Sequence, residues 1–173
     1  MAQTSSLTEH RVLIGLGSNL GDRLGFLRAA INAVETGGVL RSVVCSPVYE
    51  SAPIGFRDQP DYLNCCIAGT TTLAPEHLHR VLAELERRLG RRIRPRWHER
   101  EIDLDIILYD DLVLESQSLT IPHPGAVERA FVLYPARDIV PDWVHPTEGA
   151  TIDELAERLP SQSLRKTDFC IRP

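Results

Sequence analysis

Residues 101–110 read EIDLDIILYD, and successive side chains of a β-strand point to opposite faces. Glu101, Asp103, Asp105 and Ile107 therefore share one face, while Ile102, Leu104, Ile106 and Leu108 share the other. That alternation predicts a strand with an apolar face in a core and a carboxylate-bearing face turned away from it. Upstream, Pro75 is followed by Leu78, Leu82, Leu85 and Leu89 at helical spacing, with Gly90 behind them, which predicts an amphipathic helix. Residues 39–50 (VLRSVVCSPVYE) and 63–72 (LNCCIAGTTT) are rich in β-branched side chains and flank SAPIGFRDQPDY, a loop bearing Pro and Gly. Residues 11–17 (RVLIGLG) form a short apolar run ending in Gly, a buried strand by the same reasoning. A helix carrying Leu24, Leu27, Ala30, Ile31 and Val34 follows and stops at Gly37 and Gly38, with Asp22 near its start and Ser18 or Asn19 expected as its cap. The order is β-α-β-β-α-β, a split βαβ arrangement that folds as an antiparallel sheet with both helices on one face. Helices near 126–136 and 151–159 extend this α+β core, and residues 1–173 read as one domain with its core at about 11–146.

Composition narrows the function classes. The chain has 173 residues, 43% of them hydrophobic and 25% charged, and no apolar run approaches the ~18 residues that span a bilayer. The opening MAQTSSLTEHR lacks the sections of a signal peptide, so a cytoplasmic location is expected, with no membrane partner. Four cysteines, two of them adjacent at Cys65 and Cys66, fit neither a disulfide framework nor zinc spacing and are expected to be reduced. Net charge is −5, yet residues 86–100 hold seven arginines against Glu86 and Glu99. An acidic body with one arginine-dense stretch suits a small polyanion held locally rather than a nucleic-acid duplex.

Three groups of residues could carry chemistry. Asp103 and Asp105 lie about 7 Å apart on one strand face, as either a solvated face or a site for a hard cation that takes its remaining ligands from water and phosphate. Arg91, Arg92, Arg94, Arg96 and Arg100 surround Pro95 and Trp97 in a segment too broken for a helix. Guanidinium groups bind phosphate bidentately, so this loop reads as a cover for a polyphosphate, as a solubilising face or as an RNA-binding loop. Tyr62 and Asn64 beside Pro53 and Ile54 offer an aromatic face, an amide and apolar walls, a mixture that holds a flat heteroaromatic ligand or simply packs and closes a turn. His123, between Pro122 and Pro124, is placed to contact phosphate or to cap a turn. GLGSNLGDR (15–23) lacks the Lys-Ser/Thr of a P-loop and the spacing of a dinucleotide fingerprint, and reads as a tight turn from strand to helix. An RNA-binding βαββαβ sheet needs aromatic side chains on its strands, and 11–17 and 63–72 carry none.

Taken in order, GLGSNLGDR (15–23), SPVYESAPIGFRDQPDYLN (46–64), RWHEREIDLDIILYDD (96–111) and LTIPHPGAVERAFVLYP (119–135) resemble the 6-hydroxymethyl-7,8-dihydropterin pyrophosphokinases of folate biosynthesis. The resemblance implies a ferredoxin-like core with C-terminal helical additions. It also implies transfer of pyrophosphate from ATP to the pterin hydroxymethyl group, with two Mg²⁺ ions held by Asp103 and Asp105. Arg91 and Arg100 join these two aspartates as the implied catalytic residues. The implied pterin site comprises Ser51, Ala52, Pro53, Ile54, Tyr62 and Asn64, with Trp97 and Phe131 sandwiching the ring. The implied ATP contacts are Glu86, Arg91, Arg92, Arg100, Ile106, His123 and Arg129. The expected partners are these two small molecules, with no nucleic acid, and the expected state is a monomer. Two positions depart from the family pattern. His98 stands where the usual Arg-Trp-Gly-Pro-Arg loop has glycine, which removes conformational freedom there, and Ala52 replaces a frequent proline.

Overall fold

The computed structural model describes residues 8–54, 58–94, 98–160 and 164–172. Strand β1 (His10–Ser18) lies inside the sheet, paired along both of its edges. It pairs antiparallel with β4 (Tyr62–Thr71), from His10 opposite Thr71 to Ser18 opposite Leu63, and antiparallel with β5 (Asp103–Tyr109) on its other edge. The edge of β4 away from β1 takes β2 (Arg41–Cys45) and β3 (Tyr49–Ser51), and a late strand, β8 (Leu164–Lys166), adds to β3. The resulting order β5-β1-β4-β3-β8 matches the expected ferredoxin-like sheet, extended by one strand. A separate hairpin of β6 (Leu114–Glu115) and β7 (Thr120–Ile121) follows β5.

Alternation on β1 sends Val12, Ile14 and Leu16 to one face of the sheet, where Leu63, Cys65 and Ile67 of β4 and Leu104 and Ile106 of β5 join them. Helices α1 (Arg23–Thr36) and α2 (Pro75–Arg88) cover that face with Leu27, Ile31, Val34, Leu78 and Leu82. Burying each such aliphatic side chain contributes about 2 kcal/mol, which makes this layer the main source of stability. On the opposite face, Leu13, Cys66, Ala68 and Leu108 pack beneath α3 (Ala130–Arg137) and α4 (Ile152–Glu157). Those two short helices cover only part of it. The uncovered part lies toward the Ser18 end of β1, and the site is built there.

Three local features differ from the sequence expectations. The cap of α1 is Asp22, whose carboxylate accepts from Gly25 N at 2.9 Å, and Asn19 serves another purpose. The run 39–50 is two strands rather than one, because Pro47 has no N–H for the ladder and Ser46 Oγ turns inward to accept from Cys66 N at 2.9 Å. Alternation along β5 holds only as far as Ile106. Leu13 faces Leu108 while Ile14 faces Ile106, so Ile107 is an extra residue in the ladder, and Ile107 and Leu108 both pack in the second cluster.

Candidate active site

Gly15 and Gly17 occupy alternate positions of β1 on the uncovered face, opposite Asp105 and Asp103 of β5 respectively. A side chain here would fill the space above the sheet: a Cβ on Gly15 meets Ile107 Cδ1 at 3.2 Å, and one on Gly17 meets Asn64 Oδ1 at 3.3 Å. The two glycines thus form the floor of a cavity of about 270 Å³. That volume is near the lower end of small-molecule sites, which run from roughly 300 Å³ upward. Asp103 and Asp105 stand on one side, and Tyr62, Asn64 and Ser51 on the other. Phe131 and Arg129 close it from the start of α3, with the Arg129 guanidinium 5.9 Å from the Phe131 ring centre.

The aspartates sit in different environments. Asp103 Oδ1 receives Arg91 and Arg100, each at 2.9 Å. Burial raises its pKa more than the two guanidiniums lower it. Asp105 is open to solvent, 52% exposed in its side chain, with His123 Nε2 4.0 Å away. Burial lowers the His123 pKa below its usual 6.5, so the ring is neutral at pH 7. Its backbone N–H donates to Ile107 O at 3.0 Å, which holds its loop against the bulged end of β5. Its Nδ1 is buried with no hydrogen-bond partner among the described residues.

Behind this layer lies Glu86 of α2, only 6% exposed. Its carboxylate accepts from Leu104 N at 2.7 Å and pairs with Arg91, so Arg91 links Glu86 to Asp103. Burial pushes the Glu86 carboxyl up to about 7. On the far side, Asn64 Nδ2 donates to Ser51 Oγ at 2.9 Å, entirely buried, and burial also raises the Tyr62 phenol.

The cavity brings together Ser51, Ala52, Ile54, Tyr62, Asn64 and Phe131 from the expected pterin set. Arg100, Asp103, Asp105, His123 and Arg129 from the polyphosphate set also line it. Pro53 lies in the same loop, half-buried and outside the cavity wall. Trp97 lies outside the described residues. Glu86 and Arg91 stand behind the wall, and Arg92 is exposed, with its backbone N–H donating to Glu101 Oε2 at 3.3 Å. The Ile106 side chain points the other way, into the core beneath α1 and α2, so its side of the strand does not reach the cavity; Ile107, brought round by the bulge, does. Arg94 is committed elsewhere, in a two-pronged pair with Glu101 at 2.7 Å for each bond, which holds the Glu101 carboxyl down at about 2. Gly15, Gly17 and Ile107 were not singled out as site residues from the sequence. The signal for the glycines was available, since two glycines at alternate positions within an apolar strand mark a surface that something else must approach.

Comparison with known proteins bears on what this cavity takes. Residues 13–141 match the family model described as 7,8-dihydro-6-hydroxymethylpterin-pyrophosphokinase (HPPK). The chain belongs to the HPPK family. Among its HPPK relatives, the 2-amino-4-hydroxy-6-hydroxymethyldihydropteridine pyrophosphokinase of Synechocystis is 40% identical over 150 residues, which span 87% of this chain and 76% of that protein. The mitochondrial folate synthesis bifunctional protein of Arabidopsis thaliana is 41% identical over 133 residues, 77% of this chain and 24% of the relative. In solved structures, the Plasmodium falciparum HPPK-DHPS wild type with pterin and p-hydroxybenzoate superposes with a TM-score of 0.70 at 14% identity, over 92% of this chain and 45% of that one. This HPPK chain therefore spans under half the length of that solved protein and shares its fold over that portion. No helix among the described residues is long and apolar enough to cross a membrane.

Proposed function

We propose that this chain transfers pyrophosphate from ATP to the hydroxymethyl oxygen of 6-hydroxymethyl-7,8-dihydropterin, giving AMP and the pterin diphosphate on the way to tetrahydrofolate. The observation that carries this reading is the placing of Asp103 and Asp105 across a glycine floor from Tyr62 and Asn64, in one cavity. An acceptor alcohol and a polyphosphate can thus meet within a few ångströms. Such positioning supplies much of the rate in phosphoryl chemistry, where the protein has little covalent work to do.

The pterin occupies the side of Asn64, whose amide edge, oriented by Ser51, offers a donor and an acceptor to an aminopyrimidine, while Phe131 supplies a ring face. The alcohol oxygen attacks the β-phosphorus of ATP, the bond from that phosphorus to the α-bridging oxygen breaks, and AMP departs. The pterin hydroxyl proton is lost in the same exchange. Arg100 and Arg91 stay charged throughout and neutralise phosphate oxygens as negative charge shifts. Arg129 extends that field along the same wall, exposed Arg92 adds to it from outside, and the His123 ring lines the wall as a neutral hydrogen-bonding group. Ile106 can meet nucleotide through its backbone alone, and Glu86 acts by orienting Arg91.

Among the described residues no three His, Cys, Asp or Glu side chains gather as a metal site. A pair of carboxylates on one face, with one of them half open to solvent, nevertheless fits Mg²⁺, which keeps water and phosphate oxygens for most of its ligands. Asp103 and Asp105 would hold two such ions, whose contribution when bound is neutralisation of the triphosphate. The protein acts as a monomer in the cytoplasm, a setting consistent with its four free thiols. Replacing Asp103 by Ala tests the assignment: turnover falls at least a thousandfold while pterin binding persists within a few-fold. Robust turnover in that variant would remove Asp103 from the proposed role.

A further inference from the structure

Strand β8 lies beyond residues 13–141, the span that the family model matches, yet it pairs with the strand that leads into the pterin side of the cavity. That strand, β3, is three residues long, and Ser51 ends it immediately before Ala52 of the cavity wall. It is paired along both edges: β4 lies on one side, with Ser51 opposite Tyr62, and β8 on the other, with Glu50 opposite Arg165 and Tyr49 opposite Lys166. A three-residue strand held along one edge frays readily, so the second ladder decides how firmly Ser51 is placed. The Leu-Arg-Lys sequence of β8 has little strand preference of its own, and side-chain contacts hold it in place. The Arg165 guanidinium pairs with the Glu50 carboxylate directly across the ladder, and Lys166 Nζ reaches Asp138 Oδ2 at 3.1 Å. Just past the strand, the Thr167 N–H and Oγ1 each donate to Val48 O at 2.9 Å. The largely buried Glu50 side chain also accepts from Arg23 NH1 at 3.1 Å, and the same NH1 donates at 2.6 Å to the carbonyl of Asp61, next to Tyr62.

We propose that Arg165 is a positioning residue for the pterin: by clamping β8 onto β3 through Glu50 it fixes Ser51, and Ser51 fixes the Asn64 amide that reads the aminopyrimidine edge. Asn64 Nδ2 donates one hydrogen to Ser51 Oγ at 2.9 Å, which leaves its second hydrogen and its Oδ1 for the ligand. An amide without that bond turns freely about its last side-chain torsion. Recovering the productive orientation on binding then subtracts from pterin affinity. Asp103 and Asp105 lie on β5, at the opposite edge of the sheet from β8, so the loss is confined to the pterin.

This inference rests on the pterin assignment made above, and the experiment separates the two claims. Pterin-dependent AMP release is measured with varied 6-hydroxymethyl-7,8-dihydropterin and varied ATP for the wild type and three variants. Arg165→Glu sets a like charge opposite Glu50, Arg165→Lys keeps the positive charge, and Thr167→Pro removes the N–H that meets Val48 O. In Arg165→Glu and Thr167→Pro the KM for pterin is expected to rise about fivefold, with kcat and the KM for ATP within about twofold of wild type. Arg165→Lys is expected to keep the pterin KM within about twofold of wild type. A residue that merely supports the fold would lower the Tm with the pterin KM unchanged, or raise both KM values together. Either pattern in the folded variants overturns the proposal, as does an Arg165→Lys protein no better than Arg165→Glu. If one of the two disruptive variants does not fold, the other decides. A wild type that forms no AMP with pterin refutes the assigned reaction, and this role with it.

Discussion

Glutamate at position 86 makes the stability of this fold depend on pH in an unusual direction. A carboxylate usually strengthens a fold as pH rises because it gains a charged partner. Glu86 has such a partner in Arg91, but it is buried beneath the strand that carries Asp103, and desolvation outweighs the pairing and moves its pKa from the ordinary 4.5 to about 7. Its protonated form therefore favours the folded state. The benefit is complete below pH 4.5 and is lost as pH climbs to 7, which at roughly 1.4 kcal/mol per pH unit amounts to about 3 kcal/mol. Glu86→Gln keeps an acceptor for Leu104 N and removes the ionisation. Urea unfolding of both proteins at pH 4.5 and pH 8 isolates this one group, because every other titrating side chain is common to the pair and cancels in the difference. The variant should gain about 3 kcal/mol on the wild type between those two pH values. Parallel stability profiles, or a wild type that gains on the variant as pH rises, would refute the reasoning that burial dominates at this position.

Two further substitutions probe the cavity. Gly17→Ala places a methyl group 3.3 Å from Asn64 Oδ1 and 3.7 Å from Tyr62 Cδ1; it should weaken pterin binding about tenfold, or ~1.4 kcal/mol, with a Tm close to wild type, and calorimetry showing unchanged affinity would mean the glycine floor does not face the ligand. His98 lines the cavity, at the position where the resemblance implies a glycine; His98→Gly should change kcat several-fold while the ATP dissociation constant stays within about twofold, since backbone freedom rather than charge is at stake, and identical steady-state kinetics would show that the position is neutral.

The core of this molecule was legible because periodicity reports burial directly. The apolar set of β1, the leucines of α2 and the alternation of 102–106 all occupy the positions their spacing implied. What stayed hidden depends on pairing between distant segments. The bulge that turns Ile107 into the cavity follows from the register of β5 against β1, which no local pattern in DIILY reveals. Strand β8 reads as LRK and becomes a strand because β3 presents a free edge. In the site, the residue types were readable while their duties were not. Asp103 and Asp105 share a face as expected, whereas Arg94 looked equivalent to its neighbours until Glu101 was found to occupy it. Asn19 looked like a helix cap because Asn favours that role. Asp22 takes the cap, and Asn19 reaches Gln59 and Arg100, 40 and 81 residues away, a distance over which sequence spacing carries no signal.

The reaction itself is tested most directly by its products. Purified protein is incubated with ATP, Mg²⁺ and 6-hydroxymethyl-7,8-dihydropterin, with a control lacking pterin, and the nucleotides and pterins are separated by chromatography. AMP that appears only with pterin, in equal amount to pterin diphosphate, is the expected result. ADP in place of AMP, or AMP formed equally without pterin, would contradict pyrophosphoryl transfer to the pterin.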